Sequence, residues 1–233
     1  MDVRRGGEVV EQFDDFGITA FTTGRAAGSF GTQSEEPVRD VMARWGAVRA
    51  LVGGQSSRLA TATQVHGAHV VRHAGEWRGW LRGENADGHL STERGTAMAV
   101  TVADCVPVFL AHPSGAAAVL HSGWRGTAAR ITEVALAQLI TLGFAPADVR
   151  LHCGPAICGR CYEVSPEVCA ALTGHRPDRP TTVDLRALIA DHARAAGVRQ
   201  ISISEFCTKC DNDRFYSHRA GDADRQIGLI VAQ

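Results

Sequence analysis

Apolar positions crowd the middle of the chain in short runs separated by small polar breaks. Ala97 to Ala103 is an apolar, β-prone run; Asp104-Cys105 interrupts it, and Pro107 to Leu110 forms a second run. His112-Pro113-Ser114-Gly115 has turn composition, and Ala116 to Leu120 then reads as a buried strand that stops at His121-Ser122-Gly123-Trp124-Arg125-Gly126. From Thr127 the period changes. Ile131, Val134, Leu136, Leu139, Ile140 and Leu142 recur at near-helical spacing, which predicts a helix that Gly143 ends. Val149 to Cys153 reads as a strand. Ser165-Pro166 supplies an N-cap and first turn for a short helix to Leu172. Asp184 to Ala196 reads as a helix stopped by Gly197, with strands at Val198 to Ser204 and Gln226 to Val231. Upstream, Thr22 to Gln33 is loop-like. Glu36 to Trp45 predicts a short amphipathic helix with Val38, Val41, Met42 and Trp45 on one face, and Thr63 to Arg72 holds a β-like stretch broken at Gly67. Strands and helices alternate without a strict βαβ rhythm, so the expected class is α+β, with mixed sheets and helices outside them.

Composition narrows the function classes. The 233 residues are 45% hydrophobic and 21% charged, ordinary values for a soluble globular chain of one large or two small domains. Net charge is −1 and no Lys/Arg block exists, so no nucleic-acid partner is expected. No apolar run approaches the length of a membrane span, and the first residues carry no apolar signal core. Seven cysteines in such a chain read as reduced thiols or metal ligands, which places it in the cytoplasm. No helix shows an interface heptad, so a monomer is expected. Lysine occurs once, at Lys209, which limits Schiff-base chemistry to that residue.

Three residues stand at the ends of apolar runs beside Gly or Asp: His66 in Gln64-Val65-His66-Gly67, Cys105 after Asp104, and His121 before Ser122-Gly123. Two imidazoles and one thiolate suit Zn²⁺ with one coordination position left open. Each of the three, taken singly, equally fits a hydrogen-bonded or packed structural role. The turn from His121 to Gly126, leading into a helix, offers backbone N–H groups and Arg125 to an anion, or simply makes a tight turn. Asp104 has three readings: orienting a ligand imidazole, accepting a proton, or forming a turn. Cys158-x-x-Cys161 and Cys207-x-x-Cys210 would make a closed four-thiolate site, but the 45 residues between the pairs exceed the about 15–20 of zinc ribbons. Phe215-Tyr216-Ser217-His218-Arg219, with Arg225 beyond, has the composition to stack a base and hold a phosphate or sugar, or to flank a core strand.

Taken together these blocks resemble one family. Gln64-Val65-His66-Gly67, Ala86-Asp87-Gly88, Thr101 to Val108 around Asp104-Cys105, His121 to Gly126, Gly154 to Ile157, Cys161 to Val164, Cys207-Thr208 and Phe215 to Arg219 are similar, in order and spacing, to the YfiH-type family. That family has been described as laccase-domain or multicopper polyphenol oxidase-like and as zinc-dependent purine nucleoside phosphorylases. The resemblance implies a layered α/β/β/α fold shared with toxin deamidases, with 1–233 as one domain. It implies His66, Cys105 and His121 as ligands of Zn²⁺, and phosphorolysis of adenosine, inosine and methylthioadenosine with deamination of adenosine. A purine nucleoside and phosphate would then be the partners. Asp104, Arg125 and His218 are the expected catalytic residues; Ser122, Gly123, Arg125, Arg219 and Arg225 are the expected substrate contacts. Two departures from the family pattern stand out: Arg25 is displaced by one position after Phe21-Thr22-Thr23, and Ala223-Asp224-Arg225 replaces Thr-Gly-Arg. Three rival readings compete. A copper-dependent polyphenol oxidase would need His-x-His pairs, and no two of the ten histidines are two apart. A cysteine hydrolase or amidase acting on a cell-wall precursor would pair Cys105 with His121. A non-enzymatic zinc protein would close the metal with four ligands.

Overall fold

The structure, a computed structural model, describes residues 3–32, 36–53 and 58–233. Its strands run in chain order as β1 (Glu8–Val9), β2 (Thr19–Thr22), β3 (Arg58–Ala62), β4 (Val70–His73), β5 (Gly79–Gly83), β6 (Gly88–Ser91), β7 (Thr96–Val102), β8 (Val106–Ala111), β9 (Ala117–Ser122), β10 (Arg150–Cys153), β11 (Glu163–Val164), β12 (Thr181–Thr182), β13 (Gln200–Ile203) and β14 (Gln226–Ala232). The helices are α1 (Val38–Val52), α2 (Trp124–Ala128), α3 (Ile131–Thr141), α4 (Pro166–Thr173) and α5 (Leu185–Ala195).

Two six-stranded sheets dominate, in the orders β1-β2-β14-β7-β3-β5 and β13-β10-β8-β9-β6-β4. Both are mixed. In the first, β14 lies antiparallel between β2 and β7 while β3 runs parallel to β5 and β7. In the second, β8, β9, β10 and β6 pair antiparallel, and parallel β13 and β4 close the edges.

Alternation along the central strands shows why the sheets stack. On β14, Ile227, Leu229 and Val231 pack against α1, while Ile230 and Ala232 face the other sheet. On β8, Val106, Val108 and Leu110 pack toward α3 and α5, while Phe109 and Ala111 face β7 and β14. With apolar side chains on both faces, these strands read as continuous hydrophobic runs. The result is an α/β/β/α sandwich, as expected. Gly228 allows close approach of the two sheets: a Cβ there would sit 2.8 Å from Pro107 Cβ and 3.0 Å from Phe109 Cζ.

Several elements differ from their expected bounds. The first helix continues to Val52 and buries Val41, Trp45, Val48 and Val52, whereas Val38 and Met42 are exposed. The i, i+4, i+7 spacing from Val41 sets the buried face, so the expected face was rotated. The helix expected from Thr127 begins at Trp124 and breaks at Arg130, whose left-handed φ of 63° separates α2 from α3. On α3, Ile131, Ala135, Leu136 and Leu139 are buried and Ile140 is exposed. Ser165 caps α4 as the sequence indicates; α5 begins one residue later than expected, with Asp184 as its cap, its carboxylate accepting from the N–H groups of Arg186 and Ala187. Gln33 lies outside the described residues. Among the described residues no helix is long and apolar enough to cross a membrane.

Candidate active site and metal centre

His66 and Cys105 come from the loops after β3 and between β7 and β8, and His121 is the next-to-last residue of β9. One ligand atom from each lies within 4.8 Å of the other two. His66 is exposed, Cys105 half-buried and His121 buried, so the trio forms the floor of a pocket open on one side. The two rings meet edge to face with centroids 4.8 Å apart.

The loop that carries His66 is held from both sides. The Gln64 side chain pairs with the Thr101 backbone, donating to its carbonyl at 2.8 Å and accepting from its N–H at 2.7 Å, much as a further strand residue would. Asp87, immediately before β6, is fully buried, and its carboxylate accepts from the N–H groups of Val65, His66 and Gly67 at 3.2, 2.9 and 2.7 Å. The same carboxylate accepts from His121 Nδ1 at 2.8 Å. That bond fixes the His121 tautomer and leaves Nε2 free to ligate. Burial raises the Asp87 carboxyl, but the bonds from His121 and from the Gly67 and Val65 N–H groups hold it below its ordinary range. Sequence reasoning assigned Asp87 no role. Its signal was the Ala86-Asp87-Gly88 block, whose acid sits between two small residues at the start of a buried strand.

Cys105 and His121 form a thiolate–imidazolium couple when no cation lies between them. Burial pushes the Cys105 thiol up, but the His121 charge and hydrogen bonds from His121 and His66 bring it down to about 6. Burial pushes His121 down, but the Cys105 charge and Asp87 raise it to about 9. In metal-stripped protein, iodoacetamide should therefore alkylate Cys105 at a rate that climbs as pH rises through about 6 and then levels off. Added zinc should protect it. A midpoint near pH 9 would contradict the couple.

Gly123 is required by close approach, since a Cβ there would lie 2.8 Å from Cys105 Sγ. Gly123→Ala should displace the sulfur and weaken zinc binding about 10-fold or more, measured by competition with a chromogenic chelator.

Asp104 does not take the role of orienting a ligand imidazole; Asp87 does. Asp104 sits at φ 80° in the turn, with Oδ1 accepting from Thr208 Oγ1 at 2.6 Å and Oδ2 from the Arg219 N–H at 2.7 Å. Its carboxylate thus ties the turn before Cys105 to the loop that carries His218.

A cavity of about 430 Å³ opens over the trio. His218, Arg82 and Arg225 are among its polar lining residues, and Phe30, Trp45 and Trp80 are its aromatic ones. The Trp45 and Trp80 rings lie 5.1 Å apart. Arg225 Nη1 is steadied by the carbonyls of Asp222, Ala223 and Asp224. The other expected contacts, Ser122, Gly123, Arg125 and Arg219, are not among the residues that line this cavity. Ser122 is buried with its hydroxyl paired to Thr127 Oγ1 at 2.9 Å, Arg125 is exposed and lies over the Trp124 ring, and Arg219 stacks near Tyr162 and donates to the Glu163 carbonyl. The helix that follows the His121–Gly126 turn starts at Trp124, with Gly123 as its N-cap residue, and the Thr127 N–H makes its first bond, to the Gly123 carbonyl. Arg25 binds Asp222 and the Asn212 carbonyl and lies over Tyr216, so it ties the C-terminal loop to the body.

Two groups of metal-ligating side chains gather among the described residues, the His66–Cys105–His121 trio and the thiols of Cys158, Cys161, Cys207 and Cys210. The second group corrects the spacing objection raised from the sequence. Parallel β10 and β13 are neighbours, and each leads directly into one Cys-x-x-Cys turn.

The chain is similar to several known proteins. A family described as multi-copper polyphenol oxidoreductase laccase matches residues 21–233. A purine nucleoside phosphorylase of Deinococcus radiodurans is 33% identical over 234 residues, covering 91% of this chain and 87% of the relative. One of Mycobacterium bovis is 32% identical over 235 residues, covering 97% and 88%. Among solved structures, YlmD from Geobacillus stearothermophilus superposes with a TM-score of 0.86 at 26% identity over 94% of this chain and 93% of that one. The YfiH protein of Bacillus licheniformis gives 0.87 at 23% identity over 97% and 96%, a likeness of fold. With its mixed double sheet and a match that runs from Phe21 to the last residue, this chain belongs to the multi-copper polyphenol oxidoreductase laccase family.

Proposed function

We propose that the chain, read as one domain over 1–233, is a purine nucleoside phosphorylase whose His66, Cys105 and His121 hold one zinc ion. The observation that carries this reading is the cavity of about 430 Å³, which joins an aromatic wall to a floor of metal ligands and two arginines. The volume suits a small ligand, and the wall offers a flat purine an apolar face. The purine nucleoside phosphorylase names of the relatives point the same way. The donor set fits zinc: two imidazoles and one thiolate, with Asp87 fixing the tautomer of one ring and the fourth side facing the cavity. A zinc ion bound there would supply positive charge at the cavity floor and polarise an oxygen of the reacting groups.

The remaining work falls to the chain's own residues. Phe30, Trp45 and Trp80 hold the base. Arg82 and Arg225 draw in phosphate and stabilise its charge. A phosphate oxygen bonds to C1′ of the ribose as the bond from C1′ to the purine nitrogen breaks. The electron pair of that bond leaves with the base, which takes up one proton, and hydrogen phosphate ends as the ribose 1-phosphate ester. His218, exposed at the cavity edge, carries the proton to the ring. Asp104, with both oxygens already accepting hydrogen bonds, acts as a positioning residue. His218→Gln should lower kcat about 10²-fold or more with bound zinc unchanged. An unaltered kcat would remove His218 from the proton path.

The proposed substrates are adenosine, inosine and methylthioadenosine, with deamination of adenosine to inosine and ammonia in the same cavity. The test is a nucleoside panel with and without phosphate, following free base, ribose 1-phosphate and inosine. Base release that requires phosphate supports phosphorolysis; base release that ignores phosphate overturns it. Inosine formation from adenosine tests the deaminase part separately.

The lowered Cys105 thiol beside raised His121 favours one second reading, a cysteine hydrolase. It predicts that metal-free protein is active and that alkylation destroys this activity. Copper oxidase chemistry, which the family description names, would require a further histidine cluster, and the two ligand groups found are His₂Cys and Cys₄.

A further inference from the structure

The four remaining loop cysteines form a second centre with a different character. One sulfur from each of Cys158, Cys161, Cys207 and Cys210 lies within 4.8 Å of the others, and Cys161 Sγ stands 3.5 Å from Cys210 Sγ. Around a single zinc with bonds of about 2.3 Å, tetrahedral sulfurs would stand about 3.8 Å apart. The spacing therefore fits one ion. An iron–sulfur cluster would put several inorganic atoms between the thiolates and spread them farther. All four residues are free cysteines.

The backbone around them is built for thiolate charge. The N–H groups of Cys158 and Cys210 both point at Cys207 Sγ, at 3.3 and 3.5 Å. Hydrogen bonds of this kind favour the ionised sulfur that a metal requires. The first turn is tight, with the Cys158 carbonyl accepting from the N–H groups of Cys161 and Tyr162. Gly159 lets that turn pack on Asp184, where a Cβ would lie 2.8 Å from Asp184 Cβ. The third residue of each Cys-x-x-Cys is a cation, Arg160 in one and Lys209, the chain's single lysine, in the other. Four thiolates around a divalent ion leave two negative charges, which these two cations offset. Packing alone does not explain the gathering, since Cys210 is exposed and only Cys207 is buried.

The position of the group gives it a purpose. The two turns are stitched by a parallel bridge between Ala156 and Cys207 and by the Thr208 N–H bonding the Ala156 carbonyl. Thr208, inside the second turn, holds Asp104 Oδ1, and the Ile157 N–H, beside the first turn, bonds the Asp104 carbonyl. Asp104 adjoins Cys105.

We propose that Cys158, Cys161, Cys207 and Cys210 bind one zinc ion as a closed tetrathiolate centre. It is separate from the His66–Cys105–His121 trio and locks the 154–162 and 205–216 loops together beneath Asp104. Zinc displaces the remaining thiol protons on binding. With no open coordination position the centre is structural.

The test is metal analysis of the full chain together with zinc-edge X-ray absorption. Native protein should carry two zinc ions. His66→Ala/His121→Ala should keep one, and its absorption spectrum should show four sulfur neighbours and no nitrogen. Cys161→Ser/Cys210→Ser should also keep one, now with mixed nitrogen and sulfur neighbours, and hydrogen exchange across 205–216 should rise at least 10-fold. If the cysteine variant does not fold, the spectrum of the histidine variant decides alone. A folded His66→Ala/His121→Ala protein without zinc, or with its four thiols free or paired as disulfides, overturns the centre. Unchanged exchange in the cysteine variant overturns the locking role. Native protein with one zinc in a nitrogen–sulfur setting would reject the tetrathiolate centre while leaving the trio intact, so the two readings fail separately.

Discussion

Cys105→Ala should strip the catalytic ion and reduce phosphorolysis by at least about 10³-fold, with the fold retained. With zinc bound, Cys105 would supply the one anionic ligand of the trio beside two neutral imidazoles. Without it the remaining His pair binds zinc weakly, and the positive charge at the cavity floor goes with the ion. The sulfur is half-buried at a turn and carries little of the core, so a truncation of one atom should cost about 1 kcal/mol or less in stability. Metal analysis, a thermal melt and the rate of base release on one preparation separate these effects. Activity that survives in a protein lacking the trio's ion would reject the metal reading, and loss of the fold itself would show that Cys105 is structural.

Asp87→Ala should be the most destabilising single change at the site. Its carboxylate is fully buried and accepts four hydrogen bonds, three from consecutive backbone N–H groups and one from His121. Removing it leaves those donors unpaired in the interior, a cost of about 3–5 kcal/mol and a fall in Tm of about 10 °C for a chain of this size. The loop with His66 then loses its anchor and His121 its tautomer, so zinc should be lost as well. Asp87→Asn keeps the shape but replaces two acceptor positions with donors, and should recover only part of the stability. The same bonds set a pH response. Because the folded carboxyl is held below its unfolded value, its stabilising share is present at neutral pH and is lost as pH falls through the folded value. An acid titration of native and Asp87→Asn proteins should show a weaker low-pH loss in the variant. A Tm change under about 2 °C in Asp87→Ala would contradict this role.

The central strands were legible because both of their faces are buried, so β7, β8, β9 and β14 show as apolar runs with definite ends. Cys105 and His121 were legible for the same reason: Cys105 follows the end of β7 and His121 is the next-to-last residue of β9. The short or exposed strands were not. β5 is Gly79-Trp80-Leu81-Arg82-Gly83, partly exposed and bounded by glycines, and it exists because β3 pairs with it in register. The break at Arg130 was invisible too, since the apolar spacing continues across it while the backbone turns left-handed. Asp87 looks in the sequence like a turn residue, and only the folded loop shows that it faces four donors. The cysteine pairs were misjudged from separation along the chain, which the parallel pairing of β10 with β13 cancels. Ser122, Arg125 and Arg219 lie in the motif blocks but not among the cavity-lining residues, and Ser122 and Arg219 make hydrogen bonds that brace their loops.

The most direct measurement is a crystal structure with anomalous scattering at the zinc edge, from protein soaked with inosine. An ion should be bonded to His121 Nε2, Cys105 Sγ and a ring nitrogen of His66, with the purine against Trp45 and Trp80. A protein that turns over nucleoside yet shows no ion at these three side chains would contradict it.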